Sequence, residues 1–172
     1  MEIKVVKFFN TLGGRWFSAA AAFVSRIRFL AGLWLAVAVA ILFFDKTNGK
    51  IIFVAIAIAS LLHFTISEGL MKFLFPKIFF KRLRPYQAHP LLITPRGSRH
   101  QDSSFPSSHM STTLAVLTVV VCFYPIIWLP ALLFSMFMAY ARMHNGMHYP
   151  SDIVAGTALG ISYGLVAVYL VR

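Results

Sequence analysis

The 172-residue sequence contains few charged residues and very few acidic ones. Only 12 % of the residues are charged and 59 % are apolar, whereas a soluble domain has about a quarter charged and about half apolar residues. This composition excludes a disordered chain, a coiled coil and most soluble enzymes. The single cysteine, Cys122, excludes an intramolecular disulfide and does not indicate a compartment. What remains is a polytopic membrane protein.

Basic residues greatly outnumber acidic ones. There are 16 Lys and Arg against 5 Asp and Glu, which gives a formal net charge of +11. In so apolar a chain, this excess indicates a membrane surface or an anionic lipid headgroup as the partner, and not nucleic acid.

Apolar runs without charge predict five transmembrane helices in an all-α bundle, which forms one domain over residues 1–172. The runs at 29–44, 51–67 and 153–171 predict one span each, and the second continues as helix to about Phe75. Residues 110–141 contain no charge, and an unbroken helix over them would extend about 48 Å. Because a bilayer core is about 30 Å thick, this run predicts two spans that fold back at Phe123-Tyr124-Pro125.

The first 25 residues mix apolar and basic side chains and contain a break at Gly13-Gly14. An interfacial amphipathic segment fits this pattern best, and a sixth span is the alternative. A cleavable signal peptide is disfavoured, because its apolar stretch would be short and followed by Arg26 and Arg28.

One membrane face gathers most of the polar side chains. Counting spans places three segments there, namely the 76–105 loop, the start of the third span and the turn between the last two spans. Arg142 lies at the end of the fourth span. The stretch from 72 to 99 contains no acidic residue and seven basic ones, namely Lys72, Lys77, Lys81, Arg82, Arg84, Arg96 and Arg99. A cytoplasmic loop under the positive-inside rule and an anion site at the membrane surface both fit this charge.

The start of the third span reads Phe-Pro-Ser-Ser-His, at positions 105–109. Proline suits the first turn of a helix, and the free N–H groups of that turn attract anions. Serine hydroxyls add further donors. An ordinary serine cap on a membrane helix is the alternative interpretation.

The turn between the last two spans carries His144, His148 and Asp152. An aspartate near a histidine can fix the tautomer of the ring and raise its basicity, and a polar turn with surface histidines is the alternative. His144 and His148 also have the i, i+4 spacing of a zinc-binding pair. This metal site is disfavoured because Asn145 follows the first histidine where a catalytic glutamate would stand.

At these residues the sequence closely resembles the type 2 phosphatidic acid phosphatase family, which shares its site with vanadium haloperoxidases. Three family motifs match in order, with Lys-x6-Arg-Pro at 77–85, Pro-Ser-Gly-His at 106–109 and Arg-x5-His-x3-Asp at 142–152. Three motifs in order, on the face that span counting requires, are specific. One departure is Ser108, which replaces the usual glycine and whose Cβ disfavours a positive φ.

The resemblance implies phosphoryl transfer without a metal or other cofactor. His148 would be the nucleophile and form a phosphohistidine, Asp152 would orient it, and His109 would protonate the leaving group. Backbone N–H groups at the start of the third span would complete the phosphate cradle. The implied phosphate ligands are Lys77, Arg84, Ser107, Ser108 and Arg142.

The sequence therefore predicts an integral membrane lipid phosphatase of the small bacterial type, with a membrane lipid as its partner and the oligomeric state left open. By resemblance the substrate is undecaprenyl diphosphate, phosphatidylglycerophosphate, phosphatidic acid or a lipid A phosphate, with the first preferred. The active site is expected on the extracytoplasmic face of the cell (inner) membrane. A non-enzymatic lipid-phosphate-binding or transporting protein is the alternative, and a soluble-type haloperoxidase is disfavoured by the spans.

Two further patterns have structural interpretations. Glu68 and Lys72 are spaced i, i+4 near the end of the second span and predict an ion pair. Gly156, Gly160 and Gly164 form a stripe of small residues in the last span. This stripe predicts close helix packing within the bundle, with a dimer contact as the alternative.

Overall fold

The computed structural model describes residues 1–78 and 81–172, and these residues form helices and no strand. One helix continues from α4 through a π-helical stretch into α5, and a 3₁₀ turn at Pro125–Ile127 precedes α8. The elements in chain order are α1 (Glu2–Thr11), α2 (Arg15–Val24), α3 (Ile27–Phe44), α4 (Gly49–Leu62), the π-helical stretch (His63–Leu74), α5 (Phe75–Ile78), α6 (Pro85–Ala88), α7 (Ser108–Phe123), α8 (Trp128–His144) and α9 (Pro150–Val171).

Each predicted apolar run is helical, which confirms a polytopic all-α membrane bundle. Four helices are long and apolar enough to cross a membrane, namely Ile27–Phe44, Gly49–Ile78, Pro125–His144 and Pro150–Val171. The third predicted span, α7, is apolar but shorter, at 16 residues. The chain folds back between Phe123 and the 3₁₀ turn, as predicted, because proline cannot supply the N–H that would continue α7.

The amino-terminal segment forms two helices of 10 residues each. Each extends only about 15 Å, half of what a span requires, so residues 1–25 do not form the sixth span. The break falls at the predicted glycine pair, where Gly13 has a φ of +91°. The Asn10 side chain donates to the carbonyls of Thr94 (2.9 Å) and His144 (2.6 Å). These bonds hold α1 across one end of the bundle, which agrees with the interfacial interpretation.

The glycine stripe brings α9 against α7. A Cβ added at Gly156 would lie 2.5 Å from the carbonyl oxygen of Ser107, and one at Gly160 would lie 2.5 Å from that of Ser111. Side chains larger than hydrogen would therefore push the two helices apart. The stripe serves packing within the bundle, as predicted, and it fixes where α7 begins relative to α9.

The opposite end of the bundle closes with a turn between α3 and α4. The Asp45 carboxylate accepts the backbone N–H groups of Thr47 (2.9 Å) and Asn48 (2.8 Å). It also accepts the hydroxyl of Tyr124, from the turn that follows α7. One carboxylate thus joins two helical hairpins at the end that lies away from the loops.

Candidate active site

A cavity of about 380 Å³ lies between α3, α4 and α7. Its size is at the lower end of the range for small-molecule sites, which is about 300–1,000 Å³. One end is lined by apolar side chains of α3 and α4, including Leu30, Trp34, Ala38, Phe53 and Ile56. The other end is lined by Lys72, Arg84, His100, Asp102, Ser108, His109, Arg142 and His148.

The three polar segments meet at this end, as span counting predicts. Backbone hydrogen bonds join them, from Tyr86 N to Gly146 O (3.2 Å), from Arg96 N to Asn145 O (3.2 Å) and from Ser107 N to Asp152 O (3.1 Å). Gly146 has a φ of +70°, and a Cβ there would lie 2.5 Å from the Ile93 side chain. Glycine is therefore required where the α8–α9 turn passes under the loop.

Arg142, at the end of α8, is only 2 % exposed and lines the cavity. In the part of the chain that the structure describes, its guanidinium has no hydrogen-bond or ion-pair partner, and its Nε is fully buried. A buried, unpaired cation is costly unless an anion accompanies it. Arg142 therefore marks the cavity as an anion site.

Arg84 stands directly before Pro85, the first residue of α6, and is buried. Its Nη1 donates to the carbonyl of Met147 (3.3 Å) and approaches Nε2 of His148 (3.2 Å), while its Nη2 donates to Asp102 (2.7 Å). Its Nε has no partner among the described residues. A second guanidinium thus has donor capacity left for a ligand in the same cavity.

Lys72 reaches this cavity, whereas the predicted ligand Lys77 does not. The Nζ of Lys72 donates to Asp102 (3.0 Å) and lies 3.9 Å from Glu68, so the predicted Glu68–Lys72 pair is present but is the longer of the two. The Nζ of Lys77 lies 3.6 Å above the ring of Phe73, and this residue does not line the cavity. The motif lysine and the cavity lysine are thus different residues.

Asp102 is an acidic residue among these cations, and it belongs to none of the three motifs. Burial acts to raise the pKa of its carboxyl, but Lys72 and Arg84 outweigh burial and hold that pKa well below its usual range. The carboxylate is therefore ionised and offsets part of the charge of two cations. Arg142 keeps its charge uncompensated by any such bond.

His148 is buried, and its tautomer follows from its partners. Its Nδ1 lies 2.8 Å from the carbonyl oxygen of Ser104, which can only accept, so Nδ1 carries the hydrogen and Nε2 keeps its lone pair. Burial lowers the pKa of His148 well below its ordinary value, and the cations Arg142 and Arg84 lower it further. The ring is therefore neutral, with the Nε2 lone pair beside the cations.

Asp152 is fully buried beside this ring, and its carboxylate lies just beyond hydrogen-bond distance of the ring. Its Oδ2 lies 3.6 Å from Nδ1 of His148 and accepts the backbone N–H of Tyr149 at 2.8 Å. Its Oδ1 accepts from Arg82 at 2.6 Å. The carbonyl of Ser104 thus makes the hydrogen bond that orients His148, and Asp152 supplies a negative charge close to Nδ1.

The start of α7 brings further donors to the site. The hydroxyls of Ser107 and Ser108 are buried without a partner among the described residues, and Ser108 lines the cavity whereas Ser107 does not. No non-glycine residue in the described ranges has a positive φ, so serine at position 108 fits without strain. His109 also lines the cavity, and its Nε2 donates to the carbonyl of Ser25 (2.9 Å).

His144 is used for packing. Its Nδ1 lies 3.0 Å from the carbonyl of Phe9, and its Nε2 lies 3.0 Å from the hydroxyl of Ser18. Both ring nitrogens therefore contact α1 and α2, and the residue does not line the cavity. Across the described ranges, no group of three His, Cys, Asp or Glu side chains is placed to hold a metal ion.

The fold and the cavity define a polytopic helical membrane protein with a buried anion site that opens toward an apolar chamber. The profile of the PAP2 superfamily matches residues 48–172. The chain belongs to the PAP2 superfamily, in agreement with the resemblance of its three motifs.

Curated relatives of this chain include lipid A and undecaprenyl diphosphate phosphatases. The lipid A 4'-phosphatase of Bacteroides thetaiotaomicron is 31 % identical over 85 residues, which cover 46 % of this chain and 38 % of that protein. The undecaprenyl-diphosphatase of Sulfolobus acidocaldarius is 26 % identical over 131 residues, which cover 74 % of this chain and 58 % of that protein. The chain thus matches less than two thirds of the length of these relatives.

Two solved structures share the fold over nearly the whole chain. The PAP2-type phosphatidylglycerolphosphate phosphatase of Bacillus subtilis superposes with a TM-score of 0.69 at 17 % identity, covering 98 % of this chain and 83 % of that one. LpxE of Aquifex aeolicus superposes with a TM-score of 0.63 at 20 % identity, covering 98 % of this chain and 94 % of that one.

Proposed function

We propose that the protein is a membrane lipid phosphatase that works through a phosphohistidine on His148. The observation that carries this proposal is the unpaired, buried guanidinium of Arg142 in a cavity that also holds the lone pair of His148 Nε2. The apolar end of the same cavity suits a lipid tail. Relatives that act on lipid A and undecaprenyl diphosphate by name support the same class of reaction.

In this proposal the phosphoryl group sits among the cations and the start of α7. Arg142 donates to phosphoryl oxygens with nitrogens that have no other partner among the described residues, and Arg84 turns its spare donors to them. Lys72 adds a point charge, and the hydroxyl and N–H of Ser108 add neutral donors. Donors fixed before the reaction stabilise the charge that develops on the phosphoryl oxygens in the transition state.

The nucleophile is Nε2 of His148. Its lone pair attacks phosphorus and forms a P–N bond, while the bond from phosphorus to the lipid oxygen breaks. Nδ1 keeps its hydrogen throughout, held by the carbonyl of Ser104. The positive charge that appears on the ring is balanced by the nearby carboxylate of Asp152.

The leaving lipid oxygen takes a proton from His109. His109 enters this step as an imidazolium, because Nε2 keeps its hydrogen on the carbonyl of Ser25 and Nδ1 is the nitrogen that transfers the second proton. Water then attacks phosphorus and gives its proton back to His109. The P–N bond breaks, its electron pair returns to His148, and inorganic phosphate leaves. No step in this scheme requires a metal ion.

The substrate in this proposal is a lipid phosphate or diphosphate, as the names of the relatives and of the solved structures indicate. The active site lies on the extracytoplasmic face of the cell membrane, with the tail between α3 and α4 and the phosphate at the loop end. A lipid substrate can enter from the bilayer because the apolar wall belongs to helices long enough to cross it.

The test is phosphate release by the purified protein in mixed micelles that contain EDTA. The panel holds undecaprenyl diphosphate, phosphatidylglycerophosphate, phosphatidic acid and lipid A. We expect release from at least one lipid, loss of release in His148→Ala by a factor of about 10³ or more, and normal release in His89→Ala, a control in the 76–105 loop. Absence of release from every lipid would overturn the proposal and favour a lipid-phosphate-binding or transporting protein. Release that requires added Zn²⁺ or Mg²⁺ would overturn the metal-free scheme.

A further inference from the structure

A band of polar side chains divides the cavity between its cationic end and its apolar end. Along α4 and its π-helical continuation, the cavity wall changes from apolar at Phe53 and Ala57 to polar and then to cationic at Lys72. Along α7 it changes from Val116 to polar in the same direction. We call the intervening residues the polar band, and they are Ser60, His63, Glu68 and Thr112.

Two members of the polar band, His63 and Thr112, are hydrogen-bonded within the protein. The Nδ1 of His63 lies 3.0 Å from the hydroxyl of Ser111, and its Nε2 lies 2.8 Å from that of Thr112. These two bonds use both ring nitrogens and hold the imidazole against α7. His63 therefore has no capacity left for a ligand and serves to shape the wall.

Glu68 is different, because its Oε1 is buried and has no hydrogen-bond partner among the described residues. The nearest nitrogens of basic side chains are Nζ of Lys72 at 3.9 Å and Nε2 of His63 at 4.0 Å, and both distances exceed that of a hydrogen bond. Lys72 donates to Asp102 instead, at 3.0 Å. A buried carboxylate oxygen without a donor is costly, and such a group in a ligand cavity indicates that the ligand supplies the donor.

The helix around Glu68 has an unusual form. Residues His63–Leu74 are π-helical, and π-helical turns are frequent at functional sites. This stretch brings Glu68 and Lys72 to the same cavity as His63. A ligand whose phosphate contacts Lys72 would therefore place its adjoining atoms at Glu68, because the two charged ends are only 3.9 Å apart.

We infer, on the basis of the proposed function, that Glu68 accepts a hydrogen bond from a hydroxyl or amide N–H next to the phosphate of the substrate. The substrate class is then a phosphate monoester on a glycerol that keeps a free hydroxyl or on an N-acylated amino sugar, which carries such a donor near the phosphoester carbon. A polyprenyl diphosphate has no such donor. It would also place its inner phosphate, an anion, beside the Glu68 carboxylate, where like charges repel. Glu68 is a specificity-determining residue that selects between these two classes.

The test compares two lipids that differ by one hydroxyl group. The first is 1-acyl-glycerol 3-phosphate, and the second is its 2-deoxy analogue with the same acyl chain. We expect the wild-type kcat/KM to be about tenfold or more higher for the hydroxyl lipid, because a hydrogen bond to a charged group contributes that much. In Glu68→Ala the ratio should fall to about one, mainly by loss on the hydroxyl lipid, and Glu68→Gln should keep part of the ratio because an amide oxygen still accepts.

The control variant is Phe64→Leu, which alters the cavity lining on the same stretch without removing an acceptor. It should change kcat/KM for both lipids alike and leave the ratio intact. Equal rates on the two lipids in the wild type, an unchanged ratio in Glu68→Ala, or a higher kcat/KM on undecaprenyl diphosphate would each overturn the inference while phosphatase activity stands. Absence of turnover of every lipid would instead overturn the proposed function itself.

Discussion

Where α3 turns into α4, the Asp45 carboxylate is occupied by two backbone N–H groups and a tyrosine hydroxyl. At the cavity end, by contrast, the hydroxyls of Ser107 and Ser108 and the Nε of Arg142 are buried with no partner among the described residues. Both ends bury polar groups in an apolar bundle. At the first end these groups are hydrogen-bonded within the protein, and at the cavity end several of them have no partner among the described residues.

The difference shows which end is maintained for a ligand. An unsatisfied buried polar group costs about 1–3 kcal/mol, and more if it is charged. Polar groups at the first end are paired within the protein, whereas several at the cavity end have no partner among the described residues. The unpaired groups therefore indicate that the cavity end binds a ligand.

The largest effect is expected from removing the unpaired guanidinium. In Arg142→Ala, kcat/KM should fall by a factor of about 10²–10³, because one fixed donor to the phosphoryl group is lost. The matched control is Arg99→Ala, which removes an exposed cation from the loop. Phosphate release by the two purified variants decides the matter, and equal activity in both would remove the reason for regarding Arg142 as a ligand.

A smaller effect distinguishes the two candidate lysines. Lys72→Ala should lower kcat/KM by about ten- to a hundredfold, since a charged donor contributes about 1.5–3 kcal/mol, whereas Lys77→Ala should remain near the wild-type rate. The motif spacing predicts the reverse order, and the position of Lys72 in the cavity predicts this one. Steady-state kinetics on both variants therefore shows whether the lysine in the cavity or the lysine in the motif binds the phosphate.

The third effect is a matter of pH. Burial and two guanidinium groups lower the pKa of His148, so its ring should stay neutral as pH falls through 6.5, where an ordinary imidazole gains a proton. NMR of protein with labelled histidine should show that the His148 signal, assigned by its absence from His148→Ala, does not titrate between about pH 5.5 and 7.5. An assigned His148 signal that titrates near 6.5 would contradict this environment.

The smallest effect on activity is expected at the opposite end. Asp45→Asn weakens the acceptor of Thr47, Asn48 and Tyr124 and should cost about 1 kcal/mol of stability. The melting temperature in detergent should drop by a few degrees, which is the usual consequence of such a loss. The value of kcat/KM should not change, since this turn lies outside the cavity. A loss of activity without a loss of stability would contradict the assignment of a purely structural role to this end of the bundle.

The general architecture of the protein was predictable from its sequence. Charge-free runs predicted the apolar helices and the fold-back after Phe123, because hydropathy and proline act locally. Span counting brought the loop, the start of α7 and the α8–α9 turn together, and the structure gathers Arg84, His109, Arg142 and His148 around one cavity. These parts depend on the order of residues along the chain, which a sequence displays directly.

Other features of the site depend on three-dimensional geometry that the spacing of residues along the chain does not reveal. A π-helical stretch changes which residues share a face, so Lys72 reaches the cavity where the motif pointed to Lys77. Ser104 orients His148 through its backbone carbonyl, a group that every residue has and no sequence pattern can mark. Asp102 could have been predicted as a site residue, since it is a lone acidic residue in a basic loop.

The central claim is that His148 attacks the phosphorus of a lipid phosphate. The most direct measurement is rapid acid-free quenching of the wild-type protein during turnover of a lipid labelled with ³²P, followed by peptide mapping. We expect a protein-bound label that is lost in acid and survives alkali, as a P–N bond does. The label should map to the peptide that contains His148 and be absent from His148→Ala. Turnover by the wild type with a label on any other residue, or a label that persists in His148→Ala, would contradict this claim.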